Sequence, residues 1–433
     1  MFYHEQARDL PILAQVDVLI CGGGPAGVGA AVRAGRLGVR TMVVEAGSCL
    51  GGTATAGLMS NWGGRSSSEL LPEIYRRTAE KAKVLGYAEE NQAVVTAINH
   101  EIQKIVLQEM VLEAGVKILF CTWVCGAIVE NGKIAGVIVE NKSGRSAILA
   151  KCVVDSTGDG DVAAHAGVPY WKGRETDGKM QPCTLMFQVG GVDYSRAVFP
   201  GSFETLVPTD KGELQALARE ILPFPAGHVL LYQQPLEGVV CCNMTNCIEV
   251  DGTDAFSLTK GITVCRSQIE PIVKFLQKYV PGYEHCWLMT SASLLGIRET
   301  RHFQGRQRLE REDILQARYF DDWVVRLAYF NFDVHNLTGP SLDSTGIQQK
   351  WQQPKSYTIP YGCLLPDKVE GLLLSGRNIC GSHIAHSNFR IMSVCLALGE
   401  AAGTAAALAA STGRKLQEID SREIQAIVNS CEM

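Results

Sequence analysis

The chain has 433 residues, 46% hydrophobic and 20% charged, with a formal net charge of -5. This length and apolar share exclude a disordered chain and leave room for two lobes around a large core. The slight acidic excess argues against nucleic acid or an anionic membrane surface as the main partner.

In chain order, the start MFYHEQARDLPILAQ lacks a basic region followed by a long apolar run, so no secretory signal is expected. Val16–Cys21 is a short apolar run, as a buried parallel strand would be. Gly22-Gly23-Gly24-Pro25-Ala26-Gly27 follows and fits G-x-G-x-x-G. Ala26–Leu37 reads as a helix, and Arg40–Glu45 as a second strand ending in a carboxylate. Alone the glycine motif is weak; between a strand and a helix it predicts dinucleotide binding. Gly22 permits the sharp turn, Gly24 lets backbone approach a pyrophosphate, and Gly27 lets helix pack on strand. The helix N-terminus, just after Pro25 and opening at Ala26, offers free N–H groups to phosphate. Glu45 sits where an acid accepts ribose hydroxyls, roughly twenty residues beyond the turn.

Ala46–Gly57 is glycine, small residues and hydroxyls, suited to lying against a long ligand. Ser68–Gly86 and Asn99–Ala114 read as amphipathic helices and Val116–Phe120 as a strand. Thr122–Ala150 breaks at Asn131-Gly132 and Lys142-Ser143-Gly144, giving three short antiparallel strands. Cys152–Asp155 is a further buried strand ending in Ser156-Thr157-Gly158-Asp159-Gly160-Asp161, again a cofactor-edge pattern. In Gly167–Trp351 the strand–helix alternation fades. Strands are expected near Thr184–Gly190, Gly238–Asn243 and Trp287–Leu295, and a long helix over Asp254–Tyr279. No second glycine fingerprint occurs there, so the chain has room for one dinucleotide. Tyr357–Leu365 and Gly371–Ser375 return to the apolar pattern. Asn388–Ala410 is an Ala/Gly-rich core helix, and Ile419–Met433 a terminal helix. Gly399 and Gly403 in that apolar stretch fit close packing in a soluble core better than a membrane span, and Glu400 interrupts it. The fifteen cysteines contain no C-x-x-C pair and read as buried, reduced thiols of a cytoplasmic protein.

The fold class is therefore α/β: a Rossmann-like dinucleotide-binding domain with a parallel sheet and a three-stranded meander, plus an inserted α+β substrate lobe. Residues 1–166 and 357–433 form the first domain, and residues 167–356 the insertion.

Four separated pieces, DVLICGGGPAGVGAA, EAGSCLGGTATAG, VVDSTGDGDVAAHAGVP and GLLLSGRNICGSHIAHSNFRIMSVCLALGEAAGTAAALA, together with LGIRETRHFQG, resemble the FAD-dependent oxidoreductases of the glutathione-reductase-like superfamily. The closer resemblance is to the branch related to fumarate reductase and aspartate oxidase flavoproteins. It implies FAD, with Gly22, Gly24 and Gly27 on the pyrophosphate and Glu45, with Ala46 beside it, at the adenosine ribose. Gly52, Thr53 and Thr55 would run along the pyrophosphate, ribityl chain and flavin edge, and Val124 would hold adenine by its backbone. Thr157 and Gly158 would close over the adenosine half. Gly376 and Arg377 would meet the ribityl region, and Ile391 and Met392 would present N–H groups to the flavin pyrimidine. A helix N-terminus there stabilises the negative charge that reduced flavin gathers. The second nucleotide domain and Cys-x4-Cys disulfide of glutathione reductase itself are not visible.

For chemistry, His383 and His386 precede the helix expected at the flavin and suit proton transfer near neutral pH. The alternative is a pair of hydrogen-bonded histidines that order the turn. Arg298, beside Arg301 and His302, suits a bidentate grip on a substrate carboxylate, or else an ion pair with Glu299. Arg390 suits the substrate or its own loop, and Tyr361 the site wall. The leading reading is hydride transfer between a small polar substrate and flavin N5, with an external electron acceptor or donor. An NAD(P)-dependent dehydrogenase and a non-catalytic FAD-binding or redox-sensing protein are the rivals. A homo-oligomer is left open.

Overall fold

The computed structural model describes residues 3–87, 97–343 and 347–428. Strands β1 (Ile12–Cys21), β2 (Thr41–Val44) and β3 (Lys117–Leu119) alternate with helices α1 (Pro25–Arg36), α2 (Leu70–Val84) and α3 (His100–Glu113). The chain continues through β4 (Trp123–Glu130), β5 (Lys133–Asn141), β6 (Gly144–Asp155) and the short α4 (Asp161–His165). These six strands and a late one, Leu372–Leu374, make one seven-stranded sheet. β1 runs parallel to β2 and to β6, which puts the ends of β1 and β6, Cys21 and Asp155, side by side. Its residues Val18–Cys21 are fully buried, as a strand covered on both faces requires.

The expected meander forms, but its last strand does not stop at Ala150. β6 is one continuous strand whose first half pairs antiparallel with β5 and whose end pairs parallel with Leu372–Leu374. The sequence pattern breaks at Lys151 because that side chain leaves the core to pair with Asp17 at 2.8 Å. The backbone does not break there; β6 merely changes partners along one edge.

The inserted region holds β7 (Tyr170–Lys172), β8 (Phe187–Gly190), β9 (Pro208–Thr209), β10 (Gly212–Glu213), α5 (Leu214–Ile221), β11 (Leu231–Gln233), β12 (Val240–Cys242), α6 (Ala255–Tyr279) and β13 (Trp287–Ser291). β11, β12, β8 and β13 form an antiparallel sheet in that order. Its inner face and the buried side of α6 build a second hydrophobic core.

The chain then passes through β14 (Arg301–Phe303), α7 (Arg311–Leu315), β15 (Trp323–Ala328), α8 (Ile347–Lys350), β16 (Tyr357–Pro360) and β17 (Leu372–Leu374). It ends in α9 (His383–Phe389), α10 (Met392–Thr412) and α11 (Ser421–Val428). Phe303, Ile314, Val325 and Phe332 pack into the first core. These four residues precede residue 357, where composition placed the return to the first domain. Residues 429–433 of the expected terminal helix lie outside the described residues. Every described cysteine is free, most of them buried.

The stretch read as one helix over Asn388–Ala410 is two helices, with Ile391 extended between them (φ -64°, ψ 141°). Long-range bonds impose the turn. The Asn388 amide donates to Gln353 Oε1 at 2.9 Å and its oxygen accepts from the Tyr357 hydroxyl, while Arg390 pairs with Asp333.

α10 is long and apolar enough to cross a membrane, yet 94% of that window is buried inside the fold. It lies directly on α1. A Cβ on Gly399 would sit 1.9 Å from the Ala26 carbonyl oxygen, one on Gly403 2.3 Å from that of Ala30, and one on Gly29 2.5 Å from that of Leu396. The glycines therefore let two helix backbones touch. Glu400, 2% exposed, accepts from Arg33 Nη2 at 2.8 Å and from the Ser68 hydroxyl, so its charge is paired where the helix is deepest. Gly399→Ala is expected to lower stability by about 1–3 kcal/mol through overpacking. Gly413→Ala, a left-handed position with open space around it, costs about 1 kcal/mol. Thermal unfolding of the two variants checks the order; equal midpoints would contradict the close contact.

Candidate active site

The glycine turn between β1 and α1 is built by exclusion. Gly22 has φ +95°, and a Cβ there would lie 2.4 Å from the Ser156 carbonyl oxygen. A Cβ on Gly27 would lie 1.8 Å from Gly22 O. Gly24 differs: its backbone is extended, and no atom lies within 4 Å of where its Cβ would be. It faces open space, where a ligand could approach the backbone, while Gly22 and Gly27 serve packing. Pro25 starts α1 with its φ already helical and Ala26 follows. The Glu45 carboxylate accepts from the Gly23 and Gly47 amides, each at 2.6 Å, which aims it across the turn.

Other segments converge on the same turn. A Cβ on Gly52 would be 3.1 Å from Gly24 Cα, and one on Gly376 would be 3.0 Å from Ala26 Cβ. Gly158 lies against the Arg377 guanidinium, which pairs with Asp159 at 3.0 Å and keeps a buried Nη1 with no partner. The Thr157 amide and hydroxyl both donate to Asp155 Oδ1. Met392, at the start of α10, receives the Thr53 hydroxyl on its sulfur at 3.1 Å. No side chain caps that helix start. Ala46 and Val124 are half-buried, Val124 on the outer strand β4 opposite Val139. Thr55 is a correction: it is fully buried, and its hydroxyl donates to the Leu50 carbonyl at 2.5 Å. It fastens the loop from behind and has no surface to give a ligand.

Asp155, at the end of β6, is fully buried and accepts from Thr157 and from the Ala163 amide at 2.8 Å. Burial outweighs these donors and pushes its carboxyl up to about 6.

The residues chosen for chemistry separate into two groups. Arg298 donates to the Pro182 carbonyl at 2.6 Å and to Thr184 Oγ1 at 2.9 Å. Arg390 pairs with Asp333 at 2.7 Å and keeps a buried Nε with no partner. Burial and then the nearby Arg390 push the Arg298 guanidinium down to about 10, so it stays charged at neutral pH. His335 lies 3.4 Å from Asp333, and Phe203 meets the rings of both His335 and His228 edge-on. Burial first, then Arg298, pushes His335 down to about 4; burial and then His335 push His228 down to about 3. Burial alone would raise Asp333, but His335, Arg390 and Arg298 outweigh it and hold it well below the usual range. His228, Asp333 and His335 were missed in the sequence because each stands alone in a loop; no local spacing links them to Arg298.

His383 and His386 do not reach this groove. Each is 1% exposed. His383 Nδ1 sits 2.6 Å from Glu299 Oε1, and the His386 ring packs edge-on against His302 and Phe389. Tyr361 is also turned away, 5% exposed with its hydroxyl on the Leu416 carbonyl at 3.0 Å.

A family model described as FAD dependent oxidoreductase matches residues 17–428. The chain belongs to the FAD dependent oxidoreductase family. FAD is its cofactor, and the open Gly24 backbone, the unpartnered Arg377 nitrogen and the uncapped α10 start fit an extended dinucleotide. Among curated relatives, the chain is 33% identical over 160 residues to thiamine thiazole synthase of Methanococcus vannielii, 34% of this chain and 57% of that one. It is 29% identical over 204 residues to thiamine thiazole synthase of Methanococcus maripaludis, 43% of this chain and 74% of that one. The chain thus spans little more than half the length of the first of these. Among solved structures, it is similar to the flavin-dependent brominase Bmp2, with TM-score 0.50 and 10% identity over 96% of this chain and 83% of that one. It is also similar to a geranylgeranyl bacteriochlorophyll reductase-like protein from Thermoplasma acidophilum, with TM-score 0.49 and 14% identity over 96% and 84%.

Gly24→Val is expected to fold and to lose FAD, because a Cβ there meets no protein atom and the branched side chain fills the open side of the turn. Circular dichroism should be kept and flavin content after reconstitution should fall at least tenfold; a normally yellow variant would contradict the assignment. Asp155 sets a pH dependence. Its folded value of about 6 lies above its ordinary 3.8, so its contribution is full below about pH 4 and lost as pH rises through about 6. Urea unfolding of wild type and Asp155→Asn should show wild type gaining relative stability from pH 7 to pH 5.

Proposed function

We propose that this FAD enzyme transfers a hydride between flavin N5 and a small, polar substrate that carries a carboxylate. The observation that supports it is the charge of the side-chain cluster beside the start of α10. Two guanidinium groups, Arg298 and Arg390, share one carboxylate, Asp333, in a buried setting. Two arginines against one acid leave an uncompensated positive charge. An isolated buried charge is costly, so the arrangement favours an anion that completes the set. Arg390 directly precedes Ile391 and Met392, which the family resemblance puts at the flavin, so an anion held there lies next to the reacting end of the cofactor.

Bound FAD supplies the hydride acceptor or donor. The chain supplies position and proton handling. Arg298, already fixed by Pro182 and Thr184, is pre-oriented and loses little freedom on gripping a carboxylate. His335 is kept neutral by burial and by the positive charge of Arg298. A substrate anion offsets that charge, so its arrival raises the proton affinity of His335 where a base is needed. A cavity of about 430 Å³ lined by Glu204, Tyr329, Asn331, Trp351 and Gln353 opens beside the segment that leads to Asp333. The resemblance to thiamine thiazole synthases covers too little of the chain to carry their reaction across.

Anaerobic mixing with panels of hydroxy, amino and unsaturated carboxylates should bleach the flavin with at least one of them, while the matching amides fail. Arg298→Ala should raise KM for that carboxylate about tenfold to a hundredfold, as loss of a charged hydrogen-bond pair does. Equal reduction by acid and amide would sink the reading.

A further inference from the structure

Next to Arg298 in the chain lies a second polar cluster that the reaction proposed above does not use. Glu299 follows Arg298 in the loop before β14, His302 lies on β14, and His386 lies on α9. Among the described residues they form a group of three whose ligand atoms all lie within 4.8 Å of one another. All three are sealed, each 1% exposed. His302 Nδ1 faces the Gly381 carbonyl at 3.2 Å, and its Nε2 faces Glu299 Oε1 at 2.8 Å. A carbonyl only accepts, so Nδ1 carries the ring proton and Nε2 turns a lone pair toward a carboxylate. Two facing lone pairs need either a shared proton or a metal ion bound by both atoms. A proton on Nε2 meets that need, but it leaves the buried His386 Nδ1 without a partner. A metal ion bound by all three groups gives each a positive partner at once. The surroundings match a metal site's outer layer: a carbonyl holds the far nitrogen of His302, and His383 Nδ1 contacts the Glu299 carboxylate at 2.6 Å.

We propose that Glu299, His302 and His386 bind one divalent transition-metal ion. Two imidazoles and a carboxylate suit zinc or ferrous iron and disfavour magnesium or calcium, which prefer all-oxygen shells. Because the site is sealed, the ion is structural. It clips α9 to the loop that carries Arg298, groups 84 residues apart in the chain at the His383–Glu299 contact, and so fixes Arg298 and Arg390 relative to each other.

The test is metal content of tag-free, FAD-loaded full-length protein, grown with zinc or iron supplied and then dialysed against a weak chelator. The expected result is close to one zinc or iron per chain. His302→Ala and His386→Ala should each lower metal more than tenfold while flavin absorbance shows the fold intact. Should those variants fail to fold, stripping wild type with phenanthroline should lower its thermal midpoint, and zinc or ferrous ion alone should restore it. Metal content near zero from both growths, with no response of the midpoint to added ion, would overturn the proposal. So would metal that persists in the folded His386→Ala variant.

Discussion

Backbone contact between α1 and α10 is the constraint on which the rest depends. Gly29, Gly399 and Gly403 remove the side chains that would hold the helices apart. With the axes that close, the N-termini of both helices come to the same end of the sheet. One presents its amides next to Gly24 and the other next to Ile391 and Met392. A dinucleotide with negative charge at its pyrophosphate and, when reduced, at its flavin can then be met by a positive helix end at each place. The buried Arg33–Glu400 pair locks the same contact. Replacing Arg33 would leave the buried Glu400 carboxylate without a cation, whereas Arg33 also pairs with Glu69.

Away from the glycine turn, the residues between the two cores are set apart by their charge. There Arg298 comes toward Arg390, and Asp333 balances only one of them. Burial gives these charges long reach, because little water screens them. Burial first, and then the neighbouring positive charge, keeps His228 and His335 neutral. Positive charge, neutral bases and an apolar wall from Phe203 occupy one space, and none of them belongs to the glycine-lined groove.

Where the local pattern carried the physics, the sequence was readable. The strand–glycine–helix unit, the meander, the long helix over residues 255–279 and the small-residue core helix all follow from periodicity, turn residues and the absence of Cβ atoms. Where residues act through partners distant in the chain, it was not. His383 and His386 stand beside the flavin segment in sequence, but one helical turn of α9 directs them backwards onto Glu299. Thr55 belongs to a loop suited to a ligand, yet its hydroxyl closes on Leu50. The break at Ile391 comes from Asn388 and Arg390 bonding to residues near 331–353, which no local signal encodes.

Taken by itself, the order of residues determined the cofactor class and the glycine turn between β1 and α1, since these rest on conformations that only glycine permits and on strand-to-helix junctions contiguous in the chain. Tertiary structure alone decided which ionisable groups share a space. Coulomb interaction and desolvation depend on distance and burial, and both are set only once separate loops from the two bodies have packed together.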